Sequence, residues 1–343
     1  MPTAAFDAAR RVRGRSTACV VVASLGGLAA LVVLAFLTGS SSVSFGELAT
    51  WLAGGDVDEA VKSILVNVRL PRVAAALLAG AALAVAGAII QAVLDNPLAS
   101  PNVIGVNSGA GLFVLMAAAF FPQVPWISPC AAFVGALATA AVIFVISLNA
   151  GVSRLTVVLS GIAITTVFGA GMNTILIVAP DAYVGSSMFL AGGFSGVLLR
   201  DLAWPAALIA VGLAAGFSGA HRLNIIALGD DMAHALGLHV RASRLGMLAV
   251  AALLAGAAVS FAGLLGFVGL IIPHIVRFLA GHDNRAVLPI SALLGAAFVV
   301  GCDLLTRVLF APYEVPVGIL MAFAGGPFFI YLLLSRKGRR ALD

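Results

Sequence analysis

NPLASPNVIGVNSGAGLFVLMAAAFFPQVPWISPCAAFVGALATAAVIFVISLNAGVS, residues 96–153, contains no charged side chain. As a single helix it would be about 87 Å long, far more than the roughly 20 apolar residues that cross a bilayer. Pro122, Pro125 and Pro129 interrupt it, so the spacing predicts two helices, near 103–120 and 127–148. The same reading extends along the chain. Further uncharged runs cover residues 16–46, 73–94, 155–180, 202–221, 245–276, 286–302 and 315–335. The run 245–276 is again too long for one span, and Gly263, Gly266 and Gly269 before Pro273 supply a break. Ten apolar spans result: 18–38, 70–93, 103–120, 127–148, 155–178, 202–219, 243–262, 269–280, 286–308 and 316–335. The chain reads as an all-α polytopic membrane protein, a single transmembrane domain over residues 1–343.

The composition agrees, with 62% hydrophobic and 10% charged residues; a soluble domain carries about 25% charged residues. The net charge of +5 is topology-setting charge between apolar runs, not a nucleic-acid footprint. Ten spans put both termini on one side. With the termini cytoplasmic, the inner side holds Arg10, Arg11, Arg13, Arg15, Arg154, Arg222, Arg241, Arg244, Arg277, Arg285, Arg336, Lys337, Arg339 and Arg340. The outer side keeps only Lys62, Arg69, Arg72, Arg200 and Arg307. That bias assigns the termini, including a basic segment over 1–16, to the cytoplasm. The apolar core after the basic segment exceeds a signal-peptide h-region of about 7–15 residues, so a retained first helix is expected.

Small residues, as in LLAGAALAVAGAII (77–90), mark surfaces for close helix packing. VRLPRVAAALLAGAAL (68–83) and VRASRLGMLAVAALLAGAA (240–258) look like inverted counterparts, each entering a helix after a basic pair. Within the long connection over 219–244, ALGDDMAHALGL (227–238) sets Gly229 and Gly237 around a short helical stretch. Asp230 and Asp231 at its first turn complement the helix dipole. Two short helices joined at a glycine, with Ala233, Leu236 and Leu238 exposed, would make a knob suited to a partner's groove; a solvated loop is the plain alternative.

RLPR (69–72), QAVLDNPLASPNVIGVNSGAG (91–111), ALGDDMAHALGL, GFVGLIIPHIVR (266–277) and APYEVPVGILMAFAGGPFFIYLL (311–333), in this order, resemble the FecCD family of permeases. These are membrane subunits of ABC importers for iron–siderophore complexes, haem and vitamin B12. The resemblance implies a BtuC-like, type II importer fold of ten helices, paired with a second permease as homodimer or heterodimer. It implies a bacterial inner-membrane location, two separate ATPase subunits holding ATP and Mg, and a periplasmic or lipid-anchored substrate-binding protein. Ferric siderophore is the expected cargo, ahead of haem and vitamin B12. By the same resemblance, Gly229, Asp230, Asp231, Ala233, Leu236 and Gly237 form the ATPase-coupling loop. The helix near 155–178 lines the pathway, with Thr165, Thr166, Met172 and Asn173 as candidates; helix–helix hydrogen bonds explain those polar groups equally well. Arg69, Arg72 and Arg307 match positions that receive acidic residues of the binding protein. Arginine suits that task because its planar fork holds a carboxylate through two bonds. Snorkelling to headgroups is the ordinary alternative, and Asp303, four residues before Arg307, is a local partner. Glu314 is placed to orient Arg307.

The residues offer no chemistry of their own. GxxxxGK[ST] is absent, so P-loop ATP binding is not expected of this chain. Cys19, Cys130 and Cys302 lie in apolar segments without metal-ligand spacing. His274 stands without a paired carboxylate, and no catalytic set appears. Asp95 and Asn96 before Pro97 read as turn chemistry. An ion-coupled secondary transporter is the competing class; it calls for carboxylates at mid-membrane depth, where Asp303 alone comes near.

Overall fold

The computed structural model describes residues 3–39, 43–102, 104–124, 126–150, 154–311 and 313–334. Among these, every regular element is helical: α1 (Thr3–Leu37), α2 (Phe45–Leu52), α3 (Glu59–Ser63), α4 (Leu70–Leu94), α5 (Val106–Phe120), α6 (Ile127–Ala150) and α7 (Arg154–Val178). They are followed by α8 (Asp181–Ala191), α9 (Ala203–Ile226), α10 (Asp230–Ala235), α11 (Val240–Ala262), α12 (Val268–Ala280), α13 (Asn284–Leu309) and α14 (Val317–Leu334). Apolar chain in lipid has to satisfy its backbone internally, and helices do so. Each of the ten expected spans falls on one of these helices. Seven are long and apolar enough to cross a membrane, while α5, α12 and the apolar part of α14 are shorter. At 13 residues α12 reaches about 20 Å, short of a hydrocarbon core of about 30 Å.

Several boundaries differ from expectation. The first helix starts at Thr3, well before residue 18. The basic residues from Arg336 onward, which weigh in the charge count, lie outside the described residues. The helix carrying RLPR does not begin at residue 70, as the span 70–93 implied: α3, a π-helical turn over Ile64–Arg69 and α4 run as one helix over Glu59–Leu94. The turn is closed by the Leu70 N–H bonding to the Leu65 carbonyl, five residues back. The break within 245–276 falls as expected, with Gly263 ending α11 at a left-handed φ of 70°.

α4 is the hub. Most of its residues are buried, whereas few of those in α7 are, and α4 packs on α13, α11, α12 and α9. Small residues permit this. A Cβ on Gly80 would lie 2.3 Å from the Gly295 carbonyl oxygen, and one on Gly295 2.4 Å from the Gly80 oxygen. Each glycine therefore admits the other's backbone.

Candidate functional site

Two polar assemblies occupy opposite ends of α13, whose 26 residues span about 39 Å. At the C-terminal end Arg69, Arg72 and Arg307 converge. Arg72 Nε donates to Asp303 Oδ1 and Oδ2 at 3.0 and 3.1 Å, and Arg72 Nη1 reaches Glu314 Oε2 at 3.0 Å. Arg307 Nε lies 3.2 Å from Asp303 Oδ2 in the expected i,i+4 pair. Arg307 Nη1 donates to the carbonyls of Ala35 and Thr38 at 3.3 and 3.0 Å. Arg69 Nη1 donates to the Phe36 carbonyl. The last turn of α1 is thus capped by two guanidinium groups, where carbonyls lack helical partners and the dipole favours cations.

These arginines do not form a solvent-exposed rim. Arg69 is 3% exposed and Arg72 7%. Asp303, also buried, compensates two of them, as a buried charge requires. Three guanidinium groups meet two carboxylates here, and Arg307 Nη2 is buried without a hydrogen-bond partner. Glu314 pairs with Arg72, where it was expected to orient Arg307. It also accepts the Ser195 hydroxyl at 2.6 Å. That hydroxyl, with the Arg72 guanidinium, holds the Glu314 carboxyl below its ordinary range.

At the other end stands the knob. The connection expected over 219–244 is shorter, because α9 continues through HRLNII to Ile226 and α11 starts at Val240. One short helix, α10, occupies it, in place of the two expected. Gly229 (φ 94°) opens α10 and Gly237 (φ 80°) follows it. The Leu238 N–H returns to the Ala233 carbonyl at 3.0 Å and the Gly237 N–H to His234 at 2.9 Å, closing the helix end. Asp230 accepts both Arg244 Nη2 at 2.6 Å and Nη1 at 3.0 Å, pinning α10 to α11. Asp231 is exposed. Ala233, expected on the knob's exposed face, is fully buried because α10 lies against α9 and α11 on that side. Leu238 is half-buried. The exposed apolar set is Leu228, Met232 and Leu236, at four-residue steps. Beside it, Asn224 Oδ1 accepts the backbone and side-chain amides of Asn284, both at 2.9 Å, joining α9 to the start of α13.

Between the two ends, α7 is mostly exposed in the single chain. Thr165 shares a hydrogen bond of 3.3 Å with Ser108 of α5, and Thr166 bonds back to the Ile162 carbonyl at 3.0 Å. Asn173 is exposed and Met172 packs towards Gly111. His274 stacks edgewise on Phe328. Asp95 ends α4 in a left-handed conformation, and Asn96 Oδ1 caps the Leu98 N–H at 2.9 Å, as turn chemistry predicts. Among the described residues no group of three or more His, Cys, Asp or Glu side chains is placed to hold a metal ion.

Sequence reasoning missed the Arg72–Asp303, Ser195–Glu314 and Arg244–Asp230 pairings. Only the last carried a signal, an aspartate and an arginine flanking one short loop.

Residues 27–335 match the FecCD transport family. The chain is 41% identical over 278 residues to an Fe(3+)-citrate import system permease of Bacillus subtilis, covering 80% of this chain and 82% of that one. It is 37% identical over 309 residues to a hemin transport system permease of Yersinia pestis, covering 88% and 91%. A cobalamin import system permease of Halobacterium salinarum is 40% identical over 286 residues, covering 82% and 76%. Among solved structures, a metal-chelate type ABC transporter in an inward-facing conformation superposes with a TM-score of 0.82 at 27% identity, covering 92% of this chain and 98% of that one.

Proposed function

The chain belongs to the FecCD transport family, and on that premise we propose that it carries a ferric siderophore into the cytoplasm by ATP-driven alternating access. It is a multi-pass ABC importer permease by family and fold. In this reading both termini face the cytoplasm, two separate ATPase subunits supply the energy, and a second permease completes the pathway along α7. The observation that carries it is the α10 knob. Leu228, Met232 and Leu236 are 60%, 55% and 58% exposed on a stretch pinned by Asp230 to Arg244. A partner's groove accounts for rigid, exposed apolar groups that solvent does not favour. Closing of the ATPase pair would move the knob and rock the helices about the pathway.

The arginine cluster is the proposed landing site for acidic residues of the binding protein. Its excess of guanidinium over carboxylate and the unpartnered Arg307 Nη2 favour a further anion there. The buried Asp303 is held by two arginines near a helix end, which counts against a gradient-driven carboxylate relay. Reconstitution with the ATPase and binding protein tests the whole reading. Ferric siderophore uptake should require ATP and survive collapse of the ion gradient. Uptake of haem or cobalamin in its place would move the cargo assignment to those relatives' substrates.

A further inference from the structure

Glu314 is the member of the arginine cluster that meets solvent. Its side chain is 52% exposed, while those of Arg72, Asp303 and Arg307 are 9%, 3% and 8% exposed. It covers the mouth of the cluster. Through one oxygen, Oε2, it holds Arg72 of α4 at 3.0 Å and Ser195 of the α8–α9 connection at 2.6 Å. Ser195 lies between Gly192 and Gly196, both left-handed at φ 72° and 76°. The Gly192 end of this loop is fixed by backbone: its carbonyl accepts the Gly318 N–H at 3.0 Å, and the Gly193 N–H donates to Ala262 at 2.8 Å. At Gly196 the chain is open, with no atom within 4 Å of where a Cβ would stand; beyond it the Val197 N–H returns to the Phe194 carbonyl at 3.5 Å and the Leu198 N–H donates to Asp201 Oδ2 at 3.3 Å. Ser195, Gly196 and Val197 also border a cavity of about 390 Å³ reaching under α8 to Asp181. With Phe194 buried on one side and Leu198 bonded to Asp201 on the other, the exposed pair Ser195–Gly196 is the open middle of the loop, and a carboxylate fastens it.

We propose that Glu314 is a displaceable internal carboxylate: an acidic side chain of the partner protein takes its place on Arg72, and the Ser195 loop is thereby released. The inference rests on the docking reading above and adds what docking does. Removing Glu314 alone would leave Arg72 and Arg307 sharing Asp303, and an uncompensated buried charge is costly. Exchange for a second carboxylate leaves the charge balance as it was. The latch therefore resists spontaneous opening yet yields to an acidic partner, a discrimination built on repulsion as much as attraction. Asp303 cannot play this part, because both of its oxygens are engaged out of reach of solvent.

The test uses the complete transporter in lipid nanodiscs, with amide hydrogen exchange over residues 193–198 and affinity for the cargo-loaded binding protein as readouts. Wild type should exchange slowly alone and faster with the partner bound. Glu314→Gln should exchange fast without partner and bind it several-fold more tightly, since an amide competes poorly for Arg72. Ser195→Ala should free the loop and leave affinity unchanged. Weaker partner binding by Glu314→Gln would overturn the proposal, as would loop exchange indifferent to both partner and substitution. Affinity that falls with salt yet ignores Glu314→Gln sinks the exchange alone. Affinity indifferent to salt and substitution sinks the docking reading with it.

Discussion

Arg72 and Asp303 stand 231 residues apart in the chain and meet through two hydrogen bonds of 3.0 and 3.1 Å, buried at the junction of α4 with α13. Losing one member leaves the other charged and desolvated. Arg72→Ala or Asp303→Ala should each cost about 3–5 kcal/mol, read as a drop in unfolding temperature of the purified protein. Arg72→Met combined with Asp303→Leu should recover most of that loss. Single variants that melt with the wild type would show that the pair does not hold the helices together.

A methyl group on Gly80 would enter the Gly295 carbonyl at 2.3 Å, and neither helix backbone can retreat without opening the hub. Gly80→Ala is expected to cost at least the ~1–3 kcal/mol typical of overpacking, with a reduced folded yield from membranes. Wild-type yield and stability would mean that α4 and α13 separate at little cost.

Gly237 has open space around it and a φ of 80°, so its constraint is conformational, not steric. Asn, which tolerates the left-handed region, should preserve uptake, whereas Val should abolish it with the fold intact. Equal uptake by the two variants would remove the role of this turn.

Asp230 fastens the knob, and half of its side chain meets solvent. Because Arg244 is buried, Asp230→Ala leaves its guanidinium unpaired and should cost about 1–3 kcal/mol while uncoupling ATP hydrolysis from transport. The check is ATPase rate against uptake in the same vesicles; a preserved ratio refutes it.

The Glu314 carboxyl is held below its ordinary value of 4.5, first by the Ser195 hydroxyl and also by Arg72. A depressed folded value means that its stabilisation is complete above the unfolded value and is lost as pH falls through the folded one. Wild type should therefore lose stability relative to Glu314→Gln in that acid window and show a constant difference at neutral pH. A parallel pair of curves across the window would contradict the assignment.

What the sequence made legible was whatever depends on neighbours along the chain. The helix break at Gly263, the turn at Asp95 and the Asp303–Arg307 pair all lie within a few residues. Arg69, Arg72 and Arg307 were placed at one end by charge counting, and they do converge. Their inward orientation was not legible, since it depends on Asp303 meeting Arg72 across the bundle and on carbonyls at the end of α1. Ala233 misled for a different reason: a helix of six residues is too short for its pattern to reveal which side is buried.

The π-helical turn over Ile64–Arg69 sets the facing of α4's entrance. It spends an additional residue on one turn, and each residue of an α-helix carries about 100° of rotation. Deleting one residue there would restore ordinary winding and swing Leu65, now fully buried, around the helix axis relative to Arg72. Segment length before RLPR is therefore an angular setting, fixed by the number of residues in the turn and not by their side chains.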